Sequence, residues 1–150
     1  MKTVHRSALL WHSAPEMYRL VTDVARYPEF LPWCVRASEV RLDDTHTEVE
    51  MHMDFHGLHH AFTTRNAHEP GRRLTMTLVH GPFSHLDGLW LFTPLGDGRV
   101  PACKVELTLS YGFSHATLDA LAGGVFDHAA SSMVEAFVAR AAQLHGEKSP

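Results

Sequence analysis

SHATLDALAGGVFDHAASSMVEAFVARAAQLH, residues 114–145, is the stretch whose reading decides the fold. Leu118, Leu121, Ala122, Val125, Phe126, Ala129, Met133, Ala136, Phe137 and Arg140 recur every three or four positions, the period of a helix with one buried stripe. The spacing predicts one long helix from Ser114 to His145. Ser114 suits the N-cap and Asp119 the positive first turns. Gly146 supplies a stop, with Pro150 beyond it. The stripe mixes bulk (Phe126, Met133, Phe137) with small residues (Ala122, Gly123, Ala129, Ala136). Gly123 and Gly124 sit mid-helix, where each costs about 1 kcal/mol relative to alanine. A stripe that only filled a core would do better with leucine. Either the backbone approaches a neighbour or kinks there, or the helix leaves space for an apolar ligand. No other segment promises so long a helix, so the rest of the chain must supply the surface it packs against.

Upstream of the helix, that surface is written as strands. Val105, Leu107, Leu109, Tyr111 and Phe113 alternate with Lys104, Glu106, Thr108 and Ser110. Leu86, Gly88, Trp90 and Phe92 alternate with Asp87, Leu89 and Leu91, and Leu74, Met76 and Leu78 with Arg73, Thr75 and Thr77. His60, Phe62 and Thr64 alternate with His59, Ala61 and Thr63. Val49, Met51, Met53 and Phe55 oppose Glu48, Glu50, His52, Asp54 and His56. A period of two marks half-buried strands. Short turns at Asp43-Asp44, Gly57, Pro70-Gly71 and Gly81-Pro82, and a loop over residues 94–101, make neighbours mostly antiparallel. With a strand around Val40 and Leu42 and a first strand over residues 3–12, about six or seven strands result. The outcome is an α+β two-layer fold, a curved antiparallel sheet around a long C-terminal helix.

Between the first two strands, Ser13 can cap a short helix, Pro15 suits its first turn and Glu16 faces its dipole. Met17, Leu20, Val21 and Val24 give it an apolar face. Tyr27-Pro28-Glu29-Phe30-Leu31-Pro32-Trp33-Cys34 follows, where two prolines forbid a continuous helix or central strand. A segment both broken and aromatic is a lid over the core or an exposed binding surface. We expect a gate here, with Phe30 and Leu31 pointing inward.

At 150 residues the chain fits one domain, residues 1–146, with 147–150 a loose tail. A net charge of −4 without a basic run argues against DNA as a partner. Thirteen histidines equal the sum of lysines and arginines, so acid below about pH 6.5 would erode the negative charge. Cys34 and Cys103 lack metal-type spacing and read as reduced thiols of a cytosolic protein, with a single disulfide left open. No apolar run approaches the roughly 18 residues of a membrane span, and no signal-peptide h-region is present. The expectation is a cytoplasmic protein with at most peripheral membrane contact.

His52, Asp54 and His56 share a strand face, but positions four apart on a strand are separated by about 13 Å. One metal ion would need His59 or His60 to fold back across the hairpin, so this reads as a solvated polar face. No GxSxG is present, Cys34 beside Trp33 reads as a small apolar residue, and Gly96-Asp97-Gly98 reads as a hairpin turn. Neither catalytic nor metal-ligating residues are expected. A cyclase would want acid or base groups in its cavity, yet the inward positions are nearly all apolar. Such a cavity holds a hydrophobic small molecule without acting on it. The expected lining is Phe30, Leu31, Trp33, Met53, Phe62, Met76, Phe83, Trp90, Val125, Phe126 and Ala129. Met51, Met53 and Met76 would adapt to a flexible chain, or would equally serve plain core packing.

Asp23-Val24, Tyr27-Pro28, Phe30-Leu31-Pro32, Phe62-Thr63-Thr64-Arg65-Asn66, Gly81-Pro82-Phe83, then Trp90, Phe92 and Pro94 carry a resemblance in that order. From about Thr3 to His145 the chain resembles the family of coenzyme Q-binding Coq10 proteins. These are START-like, Bet v 1-like helix-grip domains of the polyketide cyclase/dehydrase superfamily. The resemblance implies non-catalytic binding of ubiquinone, an isoprenoid or a lipid, as ligand rather than cofactor, in support of respiratory quinone function. For the bacterial branch, which includes ribosome association toxins, it implies the large ribosomal subunit as partner and a block of subunit joining. The label oligoketide cyclase, common in the family, makes a cyclase/dehydrase-like enzyme a third reading. Arg26, Arg36, Arg41, Arg65, Arg72 and Arg73 would be the groups available to RNA. Around Gly57 the bacterial branch tends to carry lysines; here His56, His59 and His60 stand instead, which lowers positive charge at pH 7.

Overall fold

The computed structural model describes residues 2–55 and 57–145, and within them all side chains except those at 55, 58, 117–122 and 145. Leu118, Asp119, Leu121 and Ala122 of the helical stripe, Phe55 and His56 of the hairpin, and the stop at Gly146 and Pro150 therefore lie outside the described side chains. The elements are β1 (Lys2–Leu10), α1 (Ala14–Thr22), a 3-10 turn (Val24–Glu29), β2 (Cys34–Arg41), β3 (His46–Phe55), β4 (Leu58–Glu69), β5 (Arg73–His80), β6 (Phe83–Pro94), β7 (Cys103–Phe113), α2 (Ala116–Ser131) and α3 (Met133–His145). The seven strands form one sheet in the order β1-β7-β6-β5-β4-β3-β2, and each neighbouring pair is antiparallel. Strands β2 to β7 meander through short connections, as the turn residues predict. At the turn before β6, Gly81 has φ +153°, and a Cβ there would lie 2.6 Å from Phe62 Cβ, so glycine alone lets it pass against β4.

Ser13 caps α1, its Oγ accepting from the Glu16 N–H at 3.2 Å. Met17 and Val21 are fully buried on that helix's inner face. The 3-10 turn continues it despite Pro28, because Pro occupies a position whose N–H a short turn does not need. Tyr27 donates its hydroxyl to the Val21 carbonyl. The Leu31 N–H bonds the Tyr27 carbonyl at 2.9 Å, and the Cys34 N–H bonds that of Leu31 at 3.0 Å. Leu31 is buried in the main core. Phe30 is half-buried against Phe137, with the Arg140 guanidinium over its ring.

The C-terminal stretch corrects the expectation of one uninterrupted helix. It is two helices, α2 and α3, broken at Ser132. The cause is local: the Ser132 hydroxyl donates to the His128 carbonyl at 2.8 Å, and the Ser131 hydroxyl to the same carbonyl at 3.2 Å. Two adjacent serines competing for one backbone acceptor bend a helix. The break thus falls at the serine pair and not at Gly123-Gly124. Nor is Ser114 the N-cap, which falls on His115. Ser114 instead gives its N–H and its hydroxyl to the Pro82 carbonyl, at 2.9 and 3.0 Å, tying the turn before β6 to the root of α2.

Two apolar clusters fill the concave side of the sheet. One joins α1, the 3-10 turn and α3 to the sheet around Trp90, Phe92, Leu107 and Phe137. The other joins α2 to Met53, Phe83, Leu86, Leu109 and Tyr111. Asp127 fixes α2 sideways, receiving the Tyr111 hydroxyl and an ion pair from Lys2 at 2.7 Å.

Candidate functional site

Where the two clusters meet, a cavity of about 70 Å³ remains between the concave sheet and the helices. Its α2 end is apolar: Leu86 and Leu109 from the sheet face Phe126, Ala129 and Ala130. Phe62, Met51, Met76, Trp33, Trp90 and Met133 surround its middle. Its α1 end is polar, with Thr22, Glu39, Thr64, Asn66 and His68. Strand register explains that end. Glu39 pairs with Val49, which pairs with Thr64, placing all three in one row. Asn66 and His68 follow Thr64 at the period of two that keeps a side chain on the same face.

Most of these polar groups are tied down. The two nitrogens of His68 are held by the Tyr18 hydroxyl and the Thr47 hydroxyl, both at 2.8 Å. Burial, and secondarily the nearby charge of His46, holds its pKa below the ordinary imidazole value, so the ring is neutral at pH 7. Thr22 gives its hydroxyl to the Tyr18 carbonyl at 2.9 Å, and Thr64 gives its own to Asn66 Oδ1 at 2.8 Å. Glu39 sits at the rim, its carboxyl pushed up by desolvation and then by the charge of Asp23. Among the described residues, no lysine or arginine side chain lines the cavity.

A second hollow, an open groove of about 310 Å³, runs outside between residues 31–33 and the junction of α2 and α3. Trp33, Ala129 and Met133 face both spaces and form the partition between them.

The residues expected to line a site separate into three sets. Trp33, Phe62, Met76, Trp90, Phe126 and Ala129 come together around the cavity. Leu31 and Val125 border the outer groove. Met53 and Phe83 pack in the α2 cluster, and Phe30 packs on Phe137. Sequence reasoning missed Thr22, Glu39, Asn66 and His68. The signal for the last two was present, since the alternation of Phe62 and Thr64 runs on through them.

Elsewhere, His52 Nδ1 meets His59 Nε2 at 3.0 Å and His52 Nε2 meets Glu50 Oε1 at 2.7 Å, so His59 does reach back across the hairpin. Among the described residues, no group of three His, Cys, Asp or Glu has the geometry to hold a metal ion. Cys34 and Cys103 are free and buried, and burial pushes both thiols up to about 11, so neither is a thiolate at pH 7. No helix among the described residues is long and apolar enough to cross a membrane.

The architecture defines a class. It matches the Zhui aromatase/cyclase from Streptomyces sp. R1128 with a TM-score of 0.77 over 93% of both chains at 17% identity, a likeness of fold: the helix grip of START-like domains. The chain belongs to the polyketide cyclase / dehydrase and lipid transport family, whose pattern covers residues 10–138. It is similar to the ribosome association toxin RatA of Vibrio cholerae serotype O1, 44% identical over 147 residues, covering 98% of this chain and 100% of that one. It is also similar to the mitochondrial coenzyme Q-binding protein COQ10 homolog B of Xenopus laevis, at 28% identity over 95% of this chain and 59% of that one. The resemblance read from the motifs therefore holds across the chain.

Proposed function

We propose that this chain binds a neutral, mainly apolar molecule between sheet and C-terminal helices, with ubiquinone, other isoprenoids and acyl lipids as the candidate classes. The observation that carries this reading is the cavity itself: aromatic and methionine walls, no lysine or arginine among the described residues, and an outer groove separated from it by three side chains. About 70 Å³ is less than the roughly 150 Å³ of a cavity that holds benzene, so occupancy requires the walls to move. Met51, Met76 and Met133 are suited to that, being unbranched and torsionally soft. A long tail would leave through the partition of Trp33, Ala129 and Met133. Mass spectrometry of an organic-solvent extract of the purified protein tests the reading, together with titration of a decyl-tailed quinone. Absence of both a copurifying lipid and saturable binding would refute it.

Similarity to a ribosome association toxin over its whole length favours a second reading, association with the large ribosomal subunit. Among the six arginines available to RNA, Arg26, Arg41, Arg65 and Arg73 are engaged with neighbouring carboxylates. Arg36 and Arg72 are exposed without such a partner among the described residues. Cosedimentation with subunits at rising salt, comparing wild type with Arg36→Glu and Arg72→Glu, tests this. Absence from the large-subunit peak at low salt would remove it. An enzymatic reading has less support, since both nitrogens of His68 are engaged and the cavity's remaining titratable carboxyl is at the rim.

A further inference from the structure

We propose that Asn66 reads the head of the bound molecule, donating from its side-chain amide to a neutral oxygen acceptor such as a quinone, ketone or ester carbonyl. This rests on the cavity reading and names the chemistry its polar end selects.

Asn66 is 4% exposed and lines the cavity. Its Oδ1 is taken by the Thr64 hydroxyl at 2.8 Å, which turns the amide's NH2 edge away from that bond. No protein acceptor meets those two hydrogens among the described residues. The amide nitrogen is not among the fully buried unpartnered atoms, so it keeps accessible surface, and with Asn66 lining the cavity that surface is where a ligand's acceptor would sit.

The surrounding groups fit a head that accepts and carries no charge. The hydroxyl hydrogens of Thr22, Tyr27 and Thr64 are spent inside the protein. The His68 nitrogens are spent on Tyr18 and Thr47. Among the described residues, what remains to donate to a ligand inside this end is the Asn66 amide, with the Glu39 carboxyl at the rim. An anionic head would enter a site with no lysine or arginine among the described residues and with Glu39 at its rim. Burying a carboxylate or phosphate there is unfavourable, because nothing compensates the lost hydration. A neutral carbonyl loses far less hydration and gains the missing bond. Once the walls move, a ring head would lie at the α1 end and its tail along the apolar end towards the partition.

The test uses three probes with one decyl tail: 2-decyl-1,4-benzoquinone, decylbenzene and 4-decylbenzoate. Each is titrated against wild type, Asn66→Asp, which keeps the shape and removes the donor, and Asn66→Leu, which removes all polarity without adding charge. The expected result is wild-type binding of the quinone at least tenfold tighter than of decylbenzene or the benzoate. Both variants should lose that preference while holding decylbenzene within about twofold of wild type. The carbonyl stretch of the bound quinone should shift to lower frequency in wild type and return in Asn66→Leu. Equal binding of quinone and decylbenzene to wild type overturns the inference and spares the cavity. A quinone preference that survives in Asn66→Leu overturns it as well. If none of the three probes binds wild type, the cavity reading falls with it.

Discussion

Helices α2 and α3 come from one amphipathic stretch, yet they do different work. In α3, Val134, Phe137 and Ala141 are buried against α1 and the sheet. Phe137 makes edge contacts with Tyr27, Phe30 and Trp90 at 5.2–5.4 Å between centroids. That end is closed by aromatic packing. In α2, Phe126, Ala129 and Ala130 are buried too, but one side of them looks into the cavity. The difference is bulk: Phe137 of α3 fills the middle of the sheet, whereas one turn on from Phe126 α2 offers Ala129 and Ala130. Burial alone therefore does not separate a packed stripe from a ligand wall. What the stripe leaves unfilled does.

Phe137→Ala should give the largest effect, a loss of about 3–5 kcal/mol measured by urea unfolding, because it empties the junction of three rings. Affinity of the remaining folded protein for a decyl-tailed probe should hardly change. Ala129→Trp should do the reverse: about 1–3 kcal/mol of stability from overpacking, with probe affinity falling at least tenfold. Should Phe137→Ala abolish binding in the folded fraction while Ala129→Trp leaves it intact, the assignment of roles is inverted. Gly88→Ala sharpens the contrast from the sheet side. A Cβ there would lie 2.2 Å from Met76 Cε, so the methionine tip must swing aside, with the cavity beside it as the free space. We expect about 1 kcal/mol of destabilisation, the low end for overpacking, with weaker probe binding. Unchanged affinity would show that Met76 finds room elsewhere.

The smallest effect is a pH dependence at the polar end. His68 has a folded pKa below its ordinary value, so the unfolded chain takes up its proton first. Its contribution to stability is complete above about pH 6.5 and is lost as pH falls from there towards the folded pKa. His68→Gln should flatten that part of the stability–pH curve relative to wild type. A steeper curve in the variant would contradict the assignment.

The sheet was legible because alternation is a direct imprint of burial on one face. Val49, Met51 and Met53, or Val105, Leu107, Leu109 and Tyr111, are buried as their period requires. Ser13 was legible because its cap is local, needing only the N–H three residues on. The helix break was not, although Ser131 and Ser132 stand in plain sight, because a serine hydroxyl on a helix bonds water or backbone depending on what surrounds it. Ser114 was misplaced for the same reason: Pro82, distant in sequence, takes both its donors. The lining was half legible. Face could be read from period, but depth along the layer could not, so Phe30, Leu31, Met53, Phe83 and Val125, which pack beside the cavity or border the outer groove, were read together with the six that line it. Asn66 and His68 were passed over because polarity on an inward face looks like the end of a strand's buried stretch.

The order of strands has a consequence in time. β1 pairs along its whole length with β7, Lys2 opposite Tyr111 and Leu10 opposite Cys103, and β7 is the last strand made. At synthesis rates of about 5–20 residues per second, the first strand waits on the order of 5–20 s for its partner. The meander from β2 to β7 can zip hairpin by hairpin, through contacts near in sequence. The β1–β7 seam cannot, and long-range pairing of this kind slows folding. The chain thus completes its sheet at the end, when the last strand fetches the first.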